Sequence, residues 1–199
     1  MFAGAYTSIY LKERIKKSEL QKSLMMACFR LMFNEAYSLQ MLATEGYYFI
    51  VFRELRFLVE FAKRSAWLDR KMNGKSFNRK LTEYKKREDD KDFRGGLLLG
   101  QVADALALSP KQVEHIRNMF KRLSSYSHGS TEEMAALKPD KSWKPSFDPT
   151  LFCYTVREIL RVGDLILFLS AKLNFINDCD VRICNSHRKY FPLSKDILK

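Results

Sequence analysis

Three histidines, His115, His128 and His187, stand in a chain of 199 residues. His128 lies in the stretch KRLSSYSHGS, Lys121 to Ser130, six residues after Arg122 and one before Gly129. Histidine is the side chain that moves protons near neutral pH without help from its surroundings. Arginine offers a planar fork of N–H donors that fits the oxygens of a phosphate and stays charged through the reaction. Cleavage of RNA by its own 2′-hydroxyl needs both functions: a group to handle the proton and a fixed cation for the developing charge. The same ten residues also read as the polar last turn of a helix, with Gly129 as its C-cap. The sequence leaves both readings open.

The pattern Arg122, five residues, His128 resembles the HEPN superfamily, helical-bundle domains with an Arg-x(4–6)-His signature. A second match, Arg182, four residues, His187, lies in the tail. The first is preferred because it ends a well-capped amphipathic helix, where that family carries its motif. The resemblance covers the middle helix directly and the rest of the chain only through a helical architecture of suitable length. It implies an all-α bundle and a metal-independent endoribonuclease, of the kind found in toxin–antitoxin or antiviral defence systems. No cofactor is implied. Arg122 would hold the scissile phosphate, and His128 would move protons or orient the phosphate. A homodimer would complete the cleft, and an antitoxin or regulatory protein would restrain it. The residue after the arginine, usually polar in members held to be active, is Leu123 here. That departure favours an alternative: a non-catalytic basic helical module that binds RNA, nucleotide or a partner protein.

Helical geometry sets a condition on the pair. Six residues along an ideal helix turn by roughly 600°, so Arg122 and His128 converge only if the helix ends between them. Other candidates sit at helical spacings. His115, Asn118, Arg122 and Ser125 fall at i, i+3, i+7 and i+10 and line one stripe, with Tyr126 beside it. The stripe is either an RNA-facing wall or a solvated face. In FRELRFLVEFAKR, Arg53, Arg56 and Glu60 share a face among Phe52, Phe57 and Phe61. Arg56 and Glu60 are spaced to pair. They read either as a second wall of the cleft or as an ion pair within a scaffold.

Other chemistry finds no support. Cys179, Cys184 and His187 have the spacing C-x4-C-x2-H, with no fourth ligand nearby for structural zinc, so no metal site is expected. There is no P-loop, Gly-rich dinucleotide turn or HExxH motif. GGLLLG reads as a small-residue packing surface. Cys28 and Cys153, in apolar helical runs, read as buried small hydrophobes.

The elements that position these residues are helices. Apolar residues make up 46% of the chain, so it can bury a core, while only 8 Gly and 5 Pro argue against a turn-rich β fold. The pattern predicts helices over about 18–44 and 47–72, a solvated helix followed by a loop in the charged stretch Lys75 to Arg94, and helices over 96–106, Ser109–Pro110 to near 129, and Asp148–Pro149 to about 175. The first carries Leu20, Leu24, Ala27, Cys28, Leu31, Ser38 and Leu42 on one face. Ser130 and Glu133 can cap a further short helix. A loop at about 129–148 and an irregular tail from about 177 complete a single domain of five or six helices over residues 1–199.

The net charge of +12 sets up a positive field that favours polyanions, with nucleic acid the leading partner class. The most apolar run, over 151–173, is broken by Arg157, Glu158, Arg161 and Asp164, so no membrane span is expected. The first residues lack the charge order of a secretory signal, and a reducing cytoplasm is the expected setting.

Overall fold

The computed structural model describes residues 21–93, 95–126, 147–175 and 192–194. Among them are six α-helices and a 3-10 turn at Lys91–Phe93, with no strand. The helices are α1 Leu24–Thr44, α2 Tyr48–Lys71, α3 Phe77–Arg87, α4 Gly95–Leu106, α5 Pro110–Ser125 and α6 Pro149–Lys172. The all-α bundle expected from composition is the observed architecture.

Helix α2 is the hub, because it packs against every other helix. Its sequence explains this. From Ala62 to Asp69 only Arg64 escapes burial, so this half of the helix has neighbours on all sides. Helix α6 is similar, buried from Glu158 to Ser170 except at Arg161. With α1 they form a central trio, whose interior includes Phe52, Leu55, Met25, Met32, Leu165 and Phe168. Each such side chain contributes about 1.5–3 kcal/mol by leaving water.

The helix ends follow local chemistry. Ser23 caps α1 by accepting from the Met26 N–H, so that helix starts later than the hydrophobic pattern suggests. Ser109 and Gln112 form a reciprocal capping box on α5, with Pro110 at its first turn. Asp148 caps α6 by accepting from Thr150 and Leu151. The Tyr48 hydroxyl accepts from the Asp148 N–H at 2.8 Å and donates to its carbonyl at 3.0 Å, which ties the start of α6 to the start of α2. Helix α5 ends at Ser125 with Tyr126 as its cap, four residues short of the glycine expected to stop it.

Several expectations need correction. Ser38 is exposed, and Leu39 and Ala43 take the core positions of that half of α1. Cys153 is exposed on α6, whereas Cys28 is buried. Leu97 is exposed, and a side chain added at Gly100 would meet open space, so these two positions of GGLLLG are not part of a close-packed surface. Charged helix α3 is not wholly solvated: Lys80 and Tyr84 are buried. Lys80 crosses to Asp69 of α2, Nζ to Oδ1 at 2.8 Å. The same carboxylate accepts from the Ser23 hydroxyl and from the Leu24 and Met25 N–H groups. One aspartate thus joins the start of α1, the end of α2 and the middle of α3. The expected capping pair Ser130/Glu133 and the loop and tail that carry it lie outside the described residues.

A second buried carboxylate, Asp164 in the middle of α6, accepts from the N–H groups of Leu193 and Ser194 at 2.8 and 2.9 Å. Burial outweighs these hydrogen bonds and pushes the Asp164 carboxyl up to about 6. An aspartate whose folded pKa lies above its unfolded value binds more protons folded than unfolded. Its contribution to stability is therefore present below about pH 4 and lost as the pH rises to about 6. The stability difference between wild type and Asp164→Asn, from urea unfolding, should shift against the wild type across that window, by at most about 1.4 kcal/mol per pH unit. A difference that is flat, or that moves toward the wild type, would contradict this account.

Candidate functional site

Helix α5 presents two flanks on either side of its core stripe. One side carries Phe120 toward α2; the other carries His115 and Arg122 toward α6. Between them Ile116, Met119 and Leu123 enter the core, with Leu123 only 1% exposed.

On the α6 side, Arg122 donates from Nε and Nη2 to the two oxygens of Glu158, at 3.3 and 3.5 Å. Glu158 is fully buried, and it also receives Arg161 from one turn further along α6. Both guanidinium side chains keep about a third of their surface in water, 34% for Arg122 and 33% for Arg161. The result is a carboxylate with no solvent contact that holds two cations at the surface. The trio carries a net charge of +1. A buried carboxylate aims arginine side chains better than an exposed one, because without water they are its only strong partners.

His115, two turns before Arg122, is half-buried beside this trio. Burial, then the charges of Arg122 and Arg161, push its pKa below the ordinary histidine value, and Glu158 opposes the shift only in part. Its Nε2 is shielded from solvent and finds no hydrogen-bond partner among the described residues. Tyr154 of α6 borders the same cluster; burial, and then Glu158, push its phenol up to about 12. The ring of Tyr126 packs 4.6 Å from Phe52 and 5.7 Å from Tyr154, measured between centroids. That aromatic contact fixes the end of α5 against both α2 and α6. Ser125 is exposed and turns its hydroxyl back onto the Arg122 carbonyl at 2.7 Å. Asn118 is exposed on the same helix.

The candidates on α2 form a separate group. Arg56 lies over the Phe120 ring at 5.2 Å, and Lys63 lies over the same ring at 4.4 Å. Glu60 pairs with Lys63 at 3.1 Å, three residues on, rather than with Arg56. Burial lowers the Lys63 pKa, against the opposing charge of Glu60. The Arg56 Nε finds no partner among the described residues. Arg53 is exposed and pairs with its neighbour Glu54 at 3.5 Å. Of the residues singled out in the sequence, the structure thus brings His115, Arg122 and Tyr126 to the contact between α5 and α6. It gathers Arg56 and Glu60 on the opposite flank of α5.

Glu158 and Arg161 did not stand out in the sequence beyond breaking an apolar run. Their signal was there: two opposite charges three residues apart, inside a stretch apolar enough to be buried. His128, His187, Arg182, Cys179 and Cys184 lie outside the described residues. Among the described residues, no group of three His, Cys, Asp or Glu side chains could hold a metal ion. No helix there is long and apolar enough to cross a membrane. No family model, curated protein or solved structure matches the chain.

The shared carboxylate makes a thermodynamic prediction. Arg122→Ala or Arg161→Ala alone leaves Glu158 one guanidinium, so each should cost only about 1 kcal/mol. The double variant leaves a buried carboxylate bare, and its loss should exceed the sum of the singles by about 1–3 kcal/mol. A double-mutant cycle in urea reads this coupling directly. Strict additivity would mean that the two arginines do not share Glu158.

Proposed function

We propose that the chain is an HEPN-like, metal-independent endoribonuclease that uses Arg122 and His128 on single-stranded RNA. One observation carries this reading. Arg122 keeps about a third of its side chain in water yet is anchored to a fully buried carboxylate, in the last turn of a helix that ends at Ser125, three residues before His128. A helix continued through position 128 would have separated the two side chains; one that ends at Ser125 meets the condition set by their spacing.

The chemistry assigns a role to each group. The 2′-oxygen of the RNA attacks the adjacent phosphorus, and the bond from phosphorus to the 5′-oxygen of the next nucleotide breaks. A 2′,3′-cyclic phosphate and a free 5′-hydroxyl result. His128 takes the 2′-hydroxyl proton, and a proton returns to the departing 5′-oxygen. Such proton transfer contributes typically 10²–10⁴-fold. Arg122, with Arg161 beside it, neutralises the non-bridging oxygens as charge builds on them. A second copy of the chain would complete the cleft, and a regulatory or antitoxin protein would hold the activity in check.

Leu123 favours a second reading. Because it is buried in the core, the position after Arg122 offers no polar group to the site. The same cationic face would then bind RNA, nucleotide or an acidic partner protein without cutting.

Labelled single-stranded RNA incubated in excess EDTA separates the two. The wild type should cleave it, and the Arg122→Ala, His128→Ala double variant should not. That variant should remain folded, because Arg161 still partners Glu158. Binding without cleavage by the wild type would overturn the nuclease and leave the binding module.

A further inference from the structure

A second constellation lies at the far end of the bundle, where α1 begins and α2 and α6 end. A cleft of about 310 Å³ opens there. Small-ligand sites run from about 300 to 1,000 Å³, so this one lies at the small end of that range. Its walls include Lys22, Arg70, Lys80, Asn73, Asn174 and Phe175.

Charge decides what such a cleft can hold. Among the described residues, one acid, Asp69, borders it. Its carboxylate is fully engaged by the Ser23 hydroxyl, the Leu24 and Met25 N–H groups and the Lys80 ammonium. Lys80 is itself only 4% exposed, so the cleft has a buried cation fixed in its wall. Lys22 and Arg70 are exposed at the rim. The three cations against one acid give a net charge of +2.

Two helix C-termini nearby would by themselves repel an anion. Here the chain folds back over them. The Asn174 and Phe175 N–H groups bond the Ala171 and Ser170 carbonyls, and Lys75 bonds that of Met72. Asn174 and Gly74 adopt left-handed backbone, φ 59° and 77°, to make these turns. Beside the cations stand two side-chain amides, which can both donate and accept, and one aromatic ring.

We infer that this cleft binds a nucleoside monophosphate group, with the phosphate on Lys22, Arg70 and Lys80 and the base against Phe175 and the two asparagines. The group is either a free nucleotide or the 5′-terminal nucleotide of an RNA. The inference does not rest on the nuclease reading, because Arg122 and His128 take no part in it.

Titration calorimetry on the full chain tests it, with adenosine 5′-monophosphate, adenosine and inorganic phosphate as probes. The monophosphate should bind saturably, and the two fragments at least about tenfold more weakly, since each loses charge-assisted bonds or stacking. Lys22→Ala with Arg70→Ala, both at exposed positions, should weaken the monophosphate at least about tenfold without unfolding the chain. Arg122→Ala should leave its binding unchanged, which separates this site from the Arg122–Glu158 cluster. Displacement of the nucleotide by a 5′-phosphorylated RNA but not by its 5′-hydroxyl twin would identify RNA ends as the source. Displacement by neither RNA would identify the free nucleotide. Absence of saturable binding, inorganic phosphate binding as tightly as the nucleotide, or no effect of the double variant would each overturn the inference.

Discussion

A carboxylate removed from water must be given donors or a cation, and the described residues of this bundle are arranged around three carboxylates in that position. Asp69 gathers a serine, two helix N–H groups and a lysine, and so locks α1, α2 and α3 at one end. Asp164 receives the 192–194 turn against the middle of α6. Glu158 draws Arg122 from α5 and Arg161 from its own helix. The apolar core decides that the helices pack; these three acids decide which residues must meet. Removal of a partner leaves a charge with no solvent to fall back on, so the arrangement admits little slippage.

The Glu158 contact also shapes the surface. Two guanidiniums tethered to one acid leave an unneutralised positive charge at fixed geometry, where a phosphate would find its donors already placed. Tyr126 and Tyr154 pack against each other beside that contact and pin the last turn of α5. The tyrosine at the cap of α5 thus belongs to the packing that positions Arg122. On the other flank, Arg56 and Lys63 both lie over the ring of Phe120, which holds charge within the bundle by cation–π contact.

The sequence made the helices legible wherever a cap and a period coincided. Ser109 with Pro110, and Asp148 with Pro149, mark starts that the structure reproduces. It misled where periodicity alone was used. Ser38 shares a helical face with true core residues but points outward, because packing on two neighbours shifts the buried stripe toward Leu39 and Ala43. Arg122 was visible by its spacing to His128. Its partner was not, since a pair 36 residues apart leaves no local pattern. Lys80 and Asp69 were hidden for the same reason: each looks like a surface charge until α3 folds across the end of α2. Arg56 and Glu60 had the right spacing to pair, yet Lys63 is nearer and takes the carboxylate.

The central claim is that Arg122, held by Glu158, meets the phosphate of a polyanion. The salt dependence of RNA binding measures this most directly, because each phosphate contact releases a fixed number of counterions. The affinity of a non-cleavable, single-stranded RNA analogue should be measured from low to high salt for the wild type and for Arg122→Ala. The account predicts weaker binding by the variant and a log–log slope shallower by about 0.7–1, the loss of one phosphate contact. An affinity and slope equal to those of the wild type would mean that Arg122 serves the fold through Glu158 and touches no RNA.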